Sequence, residues 1–237
     1  MEFPFDLAAL VGAPPEHQGP CVGYVDDQAL RGSAGGGKGG PLSALLEELG
    51  KRSAVAQGLR KPVTFGLPAS LGDQRVYLLV DGNTALGFLK VGRKRLFVAA
   101  ATSGFVDVRD AFREIEPLCA LDFYVHESCQ RSGHGRRLFD AMLQRERTAP
   151  AELGYDRPSP KLLAFMKRHF GLTKFQPQSN NFVVYDAYFD PASEAPRKAN
   201  GGPCDSAIGR GPIGRGAREP FEDALANRRR PIAAAIF

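Results

Sequence analysis

The chain has 237 residues, of which 43% are hydrophobic and 9% aromatic, so it can form one domain of ordinary size with a packed core. Its formal net charge of +5 is too small to favour a nucleic-acid partner by itself. The four cysteines are scattered and form no C-x-x-C pair, which argues against a structural metal site. There is no signal-peptide pattern, and no apolar run approaches the roughly 18 residues that cross a membrane. We therefore expect a reduced, cytoplasmic protein without membrane contact.

The N-terminal part predicts an edge segment, a long loop and one helix. Residues 1–11 are apolar and contain Pro4, which suits an edge strand or a docking segment. Residues 12–41 are loop-like and end in a glycine-rich insert at 32–41, which cannot contribute to a core. Leucines recur at helical spacing over residues 42–59, so this stretch predicts an amphipathic helix.

The middle of the chain predicts a sheet. Residues 74–80, 85–91 and 95–100 are rich in valine, leucine and aromatic residues and are separated by turn signals, which predicts an antiparallel meander. Residues 101–113 predict a polar loop. The apolar run at 118–125 then predicts the central strand of the domain.

A glycine-bearing loop follows the central strand directly. Its sequence has the pattern Q-x-x-G-x-G at Gln130, Gly133 and Gly135, and Arg131 and Arg136 add positive charge. A strand that leads through such a loop into a helix N-terminus is suited to phosphate, because backbone N–H groups and the helix dipole face the ligand. The pattern differs from G-x-G-x-x-G and from the G-K-[ST] loop, so neither a Rossmann nor a P-loop site is predicted.

The rest of the domain predicts two helices and two short strands. Helices are expected at 134–147 and at 160–169, the second with Pro158 in its first turn and Gly171 at its end. Strands are expected at 172–175 and 182–189.

These elements surround one strand–loop–helix unit and predict an α+β (mixed α/β) domain over residues 1–190. Residues 191–237 are rich in glycine, proline, alanine and arginine without apolar periodicity, which predicts a disordered, slightly basic tail. Its Arg228–Arg230 run could contact an acidic partner, but a solvated tail is the simpler interpretation.

The loop pattern resembles the acyl-CoA loop of the GNAT superfamily of N-acetyltransferases. The longer runs L-D-F-Y-V-H-E-S-C-Q-R-S-G-H-G at 121–135 and D-R-P-S at 156–159 resemble segments of the alpha-tubulin N-acetyltransferases. Similar segments occur in the same order from residue 2 to about residue 189. This resemblance implies a GNAT fold, with a central, mostly antiparallel twisted sheet flanked by helices.

The resemblance also implies a reaction and its site. An enzyme of this family uses acetyl-CoA, with no metal, to acetylate the ε-amino group of a luminal lysine of α-tubulin in microtubules, by direct attack of the deprotonated lysine on the thioester. It implies a monomer acting on the cytoskeleton, including cilia or flagella. The implied catalytic residues are Gln57, Cys119 and Asp156. The implied acetyl-CoA site comprises Phe123, Tyr124, Val125, His126, Glu127, Ser128, Cys129, Gln130, Arg131, Ser132, Gly133, His134, Gly135 and Arg136, with Ser159, Pro160, Lys161, Leu162, Leu163, Ala164, Phe165, Met166, Lys167 and Arg168.

The chemistry of amine acetylation fits these residue types. A lysine amine, with an ordinary pKa of about 10.4, must lose a proton before it attacks a thioester. Asp156 and Cys119 are interpreted as the proton-accepting pair, with Asp156 the better base if burial raises its pKa. A covalent acetyl-cysteine on Cys119 ranks lower, since direct attack needs no second transfer. Gln57 would orient the lysine or support the base, and a backbone N–H near Tyr124 or Val125 would meet the oxyanion.

Other interpretations stay open on the sequence alone. Without the resemblance, Cys119 is an ordinary core residue, Asp156 an N-cap, and Gln57 an exposed polar residue at a helix end. The domain could also be a non-enzymatic microtubule-associated binding module, or a GNAT enzyme with another amine acceptor.

Overall fold

The computed structural model describes residues 1–14, 16–32, 40–65, 71–99, 112–178 and 180–189. The chain divides into one unit over Met1–Pro196 and a second over Arg197–Phe237, which lies entirely outside the described residues. Most of the glycine-rich insert, most of the polar loop at 101–113 and the whole predicted tail also lie outside them. The boundary between domain and tail near residue 190 therefore stays a prediction.

The described part of the chain contains five α-helices, three short 3-10 helices and nine strands. The helices are α1 (Leu7–Leu10), α2 (Asp27–Gly32), α3 (Pro41–Gln57), α4 (His134–Glu146) and α5 (Pro160–Phe170). The strands are β1 (Cys21–Val25), β2 (Arg75–Asp81), β3 (Thr84–Arg93), β4 (Leu96–Ala99), β5 (Phe112–Ile115), β6 (Leu118–Val125), β7 (Leu153–Asp156), β8 (Phe175–Pro177) and β9 (Phe182–Tyr185). Each of these helices is too short or too polar to cross a membrane.

Seven strands form one mixed sheet in the order β1-β2-β3-β6-β7-β9-β8. Every neighbouring pair is antiparallel except β6 and β7, which run parallel. Strands β4 and β5 pair separately as a small antiparallel hairpin sheet. The predicted α+β class, with a mostly antiparallel central sheet, is confirmed.

Helix α3 forms where the leucine spacing predicts it. Leu42, Leu45, Leu46 and Leu49 are buried against one face of the sheet. Pro41 stands at the first helical position, where its missing N–H costs nothing, and Gly58 ends the helix in the left-handed conformation that glycine adopts most readily.

Helices α4 and α5 cover the opposite face of the sheet. Leu138, Phe139, Met142 and Met166 are fully buried there against side chains of β2, β3 and β6. A smaller core forms where the β4–β5 hairpin packs against β6 and β9, and Cys119 belongs to this third cluster.

Several predicted elements need correction. Strand β1 and helix α2 lie within the loop expected at 12–41, and β5 begins within the loop expected at 101–113. Strand β7 occupies a stretch for which no strand was predicted, and residues 7–10 form a short helix. The stretch at 95–100 was expected to be the third strand of a meander, but β4 pairs with β5 in a separate sheet. Strands β1 and β7 are short and each contains a glycine. Their alternation of apolar and polar residues is therefore too brief to predict a strand from the sequence.

The last helix and strands also differ from expectation. Helix α5 begins at Pro160 with Ser159 as its N-cap, so Pro158 lies outside it and Asp156 does not cap it. The predicted end at Gly171 is confirmed, since this residue is the left-handed C-cap. Strand β8 starts only at Phe175, and residues 186–189 form a short 3-10 helix instead of continuing a strand.

Candidate active site

The two parallel strands separate soon after they meet. Strands β6 and β7 pair at three positions, Leu118 with Leu153, Cys119 with Gly154 and Ala120 with Tyr155. β6 then continues to Val125 without β7 beside it. Helices α4 and α5 begin after the carboxyl ends of these two strands, which is where open sheets with parallel strands bind their ligands.

The loop between β6 and α4 is held by its own contacts. The His126 N–H donates to the Leu86 carbonyl at 2.8 Å, and the Gln130 Nε2 donates to the Val125 carbonyl at 2.8 Å. Gly133 has a φ of 81° and no side chain caps helix α4 at this position. The backbone N–H groups of the first turn of α4 are therefore available to an anionic group such as a pyrophosphate.

The two segments implied to bind acetyl-CoA lie together. A Cβ added to Gly135 would stand 3.3 Å from the Phe123 ring and 3.6 Å from the Phe165 ring. Phe123 and Phe165 themselves pack with a centroid distance of 5.5 Å. Glycine at 135 thus lets the start of α4 approach both β6 and α5, and residues 123–136 and 159–168 form one surface.

Several residues of the implied acetyl-CoA site shape that surface through partners within the protein. Arg136 binds Asp140 through Nε and the His169 carbonyl through Nη1, and its guanidinium lies 4.5 Å from the Phe170 ring centroid. The Ser159 Oγ accepts the Leu162 N–H at the start of α5. Four exposed members of the set are cationic and suited to phosphate, and one, Glu127, is acidic. The exposed members are Glu127, Ser128, Gln130, Arg131, Ser132, Gly133, Pro160, Lys161, Ala164, Lys167 and Arg168.

A cleft of about 310 Å³ lies near the point where β6 and β7 separate. Asp156, Lys90 and Lys94 give it charge of both signs. The rest of its lining is Leu30, Val63, Phe65, Leu71, Gln74 and Leu121.

Asp156 is the last residue of β7 and forms an ion pair at the cleft. The Arg157 Nε lies 3.0 Å from its Oδ1, and the Arg157 Nη2 lies 3.3 Å from its Oδ2. This hydrogen-bonded pair raises the pKa of Arg157. The Asp156 side chain is only 14% exposed, against 56% for Arg157, so the carboxylate faces the protein while its partner extends into solvent.

Cys119 is completely buried next to Gly154. A Cβ on Gly154 would stand 2.6 Å from the Cys119 sulfur, so the thiol fills the space that the glycine leaves. Burial raises the pKa of this thiol to about 12, and the negative charge of Asp156 adds to the rise. The thiol is therefore neutral at physiological pH, whereas nucleophilic cysteines depend on the thiolate.

Gln57, the last residue of α3, does not line the cleft. Its side chain is exposed, yet its Nε2 donates to the Ser53 Oγ at 2.7 Å and to the Asp122 Oδ1 at 2.9 Å. Among the described residues, the structure places Asp156 in the cleft, Cys119 buried beside its strand, and Gln57 on a separate hydrogen-bond network.

The centre of that network is Asp122, which the sequence analysis did not single out. This carboxylate is 5% exposed and also accepts hydrogen bonds from the Ser53 Oγ at 2.6 Å and the Thr64 Oγ1 at 2.7 Å. Lys90, its cross-strand neighbour, is 8% exposed and donates to the Val63 carbonyl at 3.1 Å. Burial raises the pKa of Asp122 and lowers that of Lys90. The sequence feature that could have identified Asp122 is its position as the single acidic residue within the apolar run L-C-A-L-D-F-Y-V.

A β-bulge explains the direction of Asp122. The pairing of β3 with β6 passes from Val91–Ala120 to Lys90–Asp122, which leaves Leu121 as an extra residue on β6. Such a bulge changes the alternation of side chains. Asp122 consequently points towards α3, on the same side of the sheet as Leu121, and not towards α4 and α5.

Comparison with known proteins decides the family. The family model described as "GNAT acetyltransferase, Mec-17" matches residues 36–208. The alpha-tubulin N-acetyltransferase 1 of Danio rerio is 40% identical over 216 residues, covering 85% of this chain and 68% of that protein. The chain belongs to the alpha-tubulin N-acetyltransferase family of GNAT acetyltransferases.

The shares of each chain that align vary among other relatives. The alpha-tubulin N-acetyltransferase of Phytophthora infestans is 43% identical over 166 residues, which are 62% of this chain and 89% of that protein. The one from Tetrahymena thermophila is 45% identical over 200 residues, which are 84% of this chain and 47% of that protein. The chain thus spans about half the length of the Tetrahymena relative.

Solved structures match more distantly. The xEco2 acetyltransferase domain aligns with a TM-score of 0.42 at 16% identity, covering 78% of this chain and 98% of that one. A mutant AtaT toxin, bound to the C-terminus of the antitoxin AtaR and to acetyl-CoA, aligns with a TM-score of 0.39 at 14% identity, covering 70% and 92%.

GNAT acetyltransferases use acetyl-CoA, and the open N-terminus of α4 beside the cationic surface of α5 fits its phosphates. Among the described residues, no group of three or more His, Cys, Asp or Glu side chains is placed to hold a metal ion.

Proposed function

We propose that this protein transfers the acetyl group of acetyl-CoA to the ε-amino group of a luminal lysine of α-tubulin in microtubules. The observation that carries the proposal is the separation of β6 from β7. It leaves a gap with an open helix N-terminus at the end of β6 and the Asp156 cleft beside it. The names of the family members supply the acceptor, α-tubulin.

The acetyl-CoA-binding site in this proposal consists of residues 123–136 and 159–168. Acetyl-CoA supplies the acetyl group as a thioester. The N–H groups of the first turn of α4 bind the pyrophosphate, and the exposed Arg131 and Lys161 add charge to it. In this proposal a backbone N–H of β6 beyond Ala120, near Tyr124 or Val125, binds the oxygen on which negative charge develops; the support is that β7 no longer pairs with this part of β6.

Asp156 is the proton acceptor in this proposal. The acceptor lysine arrives as an ammonium and must give up a proton, which an Asp156 carboxylate oxygen at the cleft can take. The Arg157 Nε, 3.0 Å from the Asp156 Oδ1, helps to hold this carboxylate in place at the cleft. The neutral, buried Cys119 thiol cannot accept a proton, so we assign it to packing beside Gly154 and not to the base.

The test is acetyl transfer from labelled acetyl-CoA to polymerised microtubules, with free tubulin and a small amine in parallel. We expect incorporation into α-tubulin, with polymer favoured. Asp156→Asn should lower kcat at least a hundredfold while acetyl-CoA still binds, because general bases contribute roughly 10²–10⁴-fold. Asp186→Asn, an exposed aspartate outside the cleft, is the matched control and should retain wild-type activity.

Two results would overturn parts of this proposal. Full activity in Asp156→Asn would remove the role given to the carboxylate. Acetyl-CoA binding without incorporation into tubulin would favour another amine acceptor if the small amine is acetylated. It would favour a non-enzymatic microtubule-binding module if neither acceptor is acetylated and the chain still binds microtubules.

A further inference from the structure

The Gln57 amide is anchored although its side chain is exposed. Both hydrogens of its Nε2 are used, one on the Ser53 Oγ at 2.7 Å and one on the Asp122 Oδ1 at 2.9 Å. The backbone under it is also held, because Gly58 closes helix α3 with its N–H on the Val55 carbonyl. A glutamine at a helix end is normally free to rotate, so this arrangement calls for a functional explanation.

The chemistry of the partners fixes which way the amide points. An ionised carboxylate only accepts hydrogen bonds, so the Gln57 nitrogen must face Asp122 and the oxygen must face away. The Ser53 hydroxyl gives its single hydrogen to the Asp122 Oδ1 at 2.6 Å and accepts from Gln57. Among the described residues, the Gln57 Oε1 has no hydrogen-bond partner, and because the residue is exposed this oxygen is open to an external donor.

The network is built into the core of the domain. Ser53 and Thr64 are each 1% exposed, and the Lys90 ammonium compensates the charge of Asp122 across the strands. A Cβ on Gly50 would stand 1.7 Å from the Thr64 carbonyl oxygen, so the glycine lets α3 lie directly against this segment. Since Val63 and Phe65 on either side of Thr64 line the cleft, the network forms the wall between α3 and the cleft.

We infer that Asp122 is a positioning residue, which acts through Gln57 to present the Gln57 Oε1 as a fixed hydrogen-bond acceptor for an N–H group of the acceptor substrate. The inference rests on the proposed function, because it assigns Gln57 a contact with the amine substrate. A fixed acceptor beside the cleft would help to hold the substrate protein in the orientation that brings its lysine to Asp156, since orientation lowers the entropic part of the barrier. The Gln57 amide takes no part in proton transfer. It only accepts a hydrogen bond that orients the substrate.

Two buried hydroxyls allow a matched test. Ser53→Ala removes a hydroxyl that contacts both Asp122 and Gln57, whereas Thr64→Val removes one that contacts only the other oxygen of Asp122. Both variants keep the side-chain shape nearly unchanged and remove one hydrogen bond to the same carboxylate. A purely structural role of the network would make their effects alike.

The experiment combines each variant with Gln57→Leu in the full chain and measures kcat/KM for microtubules at saturating acetyl-CoA. We expect Ser53→Ala to lower this value roughly five- to tenfold, the change that one ordinary hydrogen bond corresponds to, with an unchanged KM for acetyl-CoA. In the Gln57→Leu background Ser53→Ala should have no further effect, while Thr64→Val should change the value by the same factor in both backgrounds. Equal effects of Ser53→Ala in both backgrounds would overturn the inference.

A second measurement does not depend on turnover. In ¹⁵N-labelled protein the side-chain amide protons of Gln57, assigned by their loss in Gln57→Leu, should exchange with solvent at least tenfold more slowly than those of a free glutamine. Ser53→Ala should expose the amide proton that is bonded to the Ser53 Oγ and so reduce this protection, and Thr64→Val should preserve it. Unprotected amide protons in the wild type would refute the positioning role even if α-tubulin is acetylated. Protected protons without tubulin acetylation would refute the proposed acceptor instead, and the same kinetic cycles would then be run on the small amine.

Discussion

The reactivity of Cys119 towards thiol reagents distinguishes a buried packing residue from a nucleophile. With a pKa of about 12, this thiol is ionised to only about one part in 10⁴ at pH 8. An ordinary cysteine with a pKa of about 8.5 is ionised to roughly one quarter at the same pH. Ionisation alone therefore predicts alkylation more than a thousandfold slower than in the unfolded chain, and complete burial of the sulfur slows it further.

The assay is alkylation by iodoacetamide at pH 8, with each cysteine followed by peptide mass spectrometry over time. Cys129, which is only partly buried in the loop after β6, serves as an internal comparison and should react faster than Cys119. The urea-unfolded chain gives the reference rate for both sites. If Cys119 in the folded protein reacts within tenfold of that reference, the neutral buried thiol is refuted and a covalent acetyl-cysteine becomes tenable again.

Two further predictions concern stability. The Cys119 thiol has a pKa of about 12 in the folded state, whereas an unfolded cysteine has a pKa of about 8.5. The free energy of unfolding should therefore fall as pH rises between these values, by up to roughly 1.4 kcal/mol per pH unit. Urea titrations at pH 8 to 11 test this, and Cys119→Ala should show a shallower decline; identical slopes would contradict the reasoning. Gly50→Ala should destabilise the fold by about 3 kcal/mol, because its Cβ would meet the rigid Thr64 carbonyl oxygen at 1.7 Å. Lys51→Ala, at the exposed neighbouring position, should change the free energy of unfolding by no more than about 0.5 kcal/mol. A similarly small loss for Gly50→Ala would refute the close approach of α3 to Thr64.

The parts of the fold that the sequence predicts well have local causes. Helix α3 follows from its leucine spacing, and the end of α5 follows from Gly171. The loop after β6 follows from Gln130, Gly133 and Gly135, which act within a single strand–loop–helix segment. In each case the residues that specify the structure are neighbours along the chain.

The parts that could not be predicted depend on distant contacts. Strand β7 has four residues and becomes a strand only because β6 and β9 lie on either side of it. The burial of Asp122 depends on Ser53, Thr64 and Lys90, which come from three other segments of the chain. Periodicity carries no information about such a network, because each member alone resembles an ordinary polar residue.

The packing of Cys119 against Gly154 is itself a structural reason for a small side chain at this place. The two residues are paired across β6 and β7, and the absent side chain of Gly154 leaves room for the sulfur, which a larger residue at 119 would overfill. The next pair, Ala120 and Tyr155, is the last before the strands part. Asp156 follows directly and lines the cleft together with Leu121. A small side chain at 119 therefore allows β6 and β7 to pair as far as Ala120 and Tyr155, directly before Asp156 at the cleft.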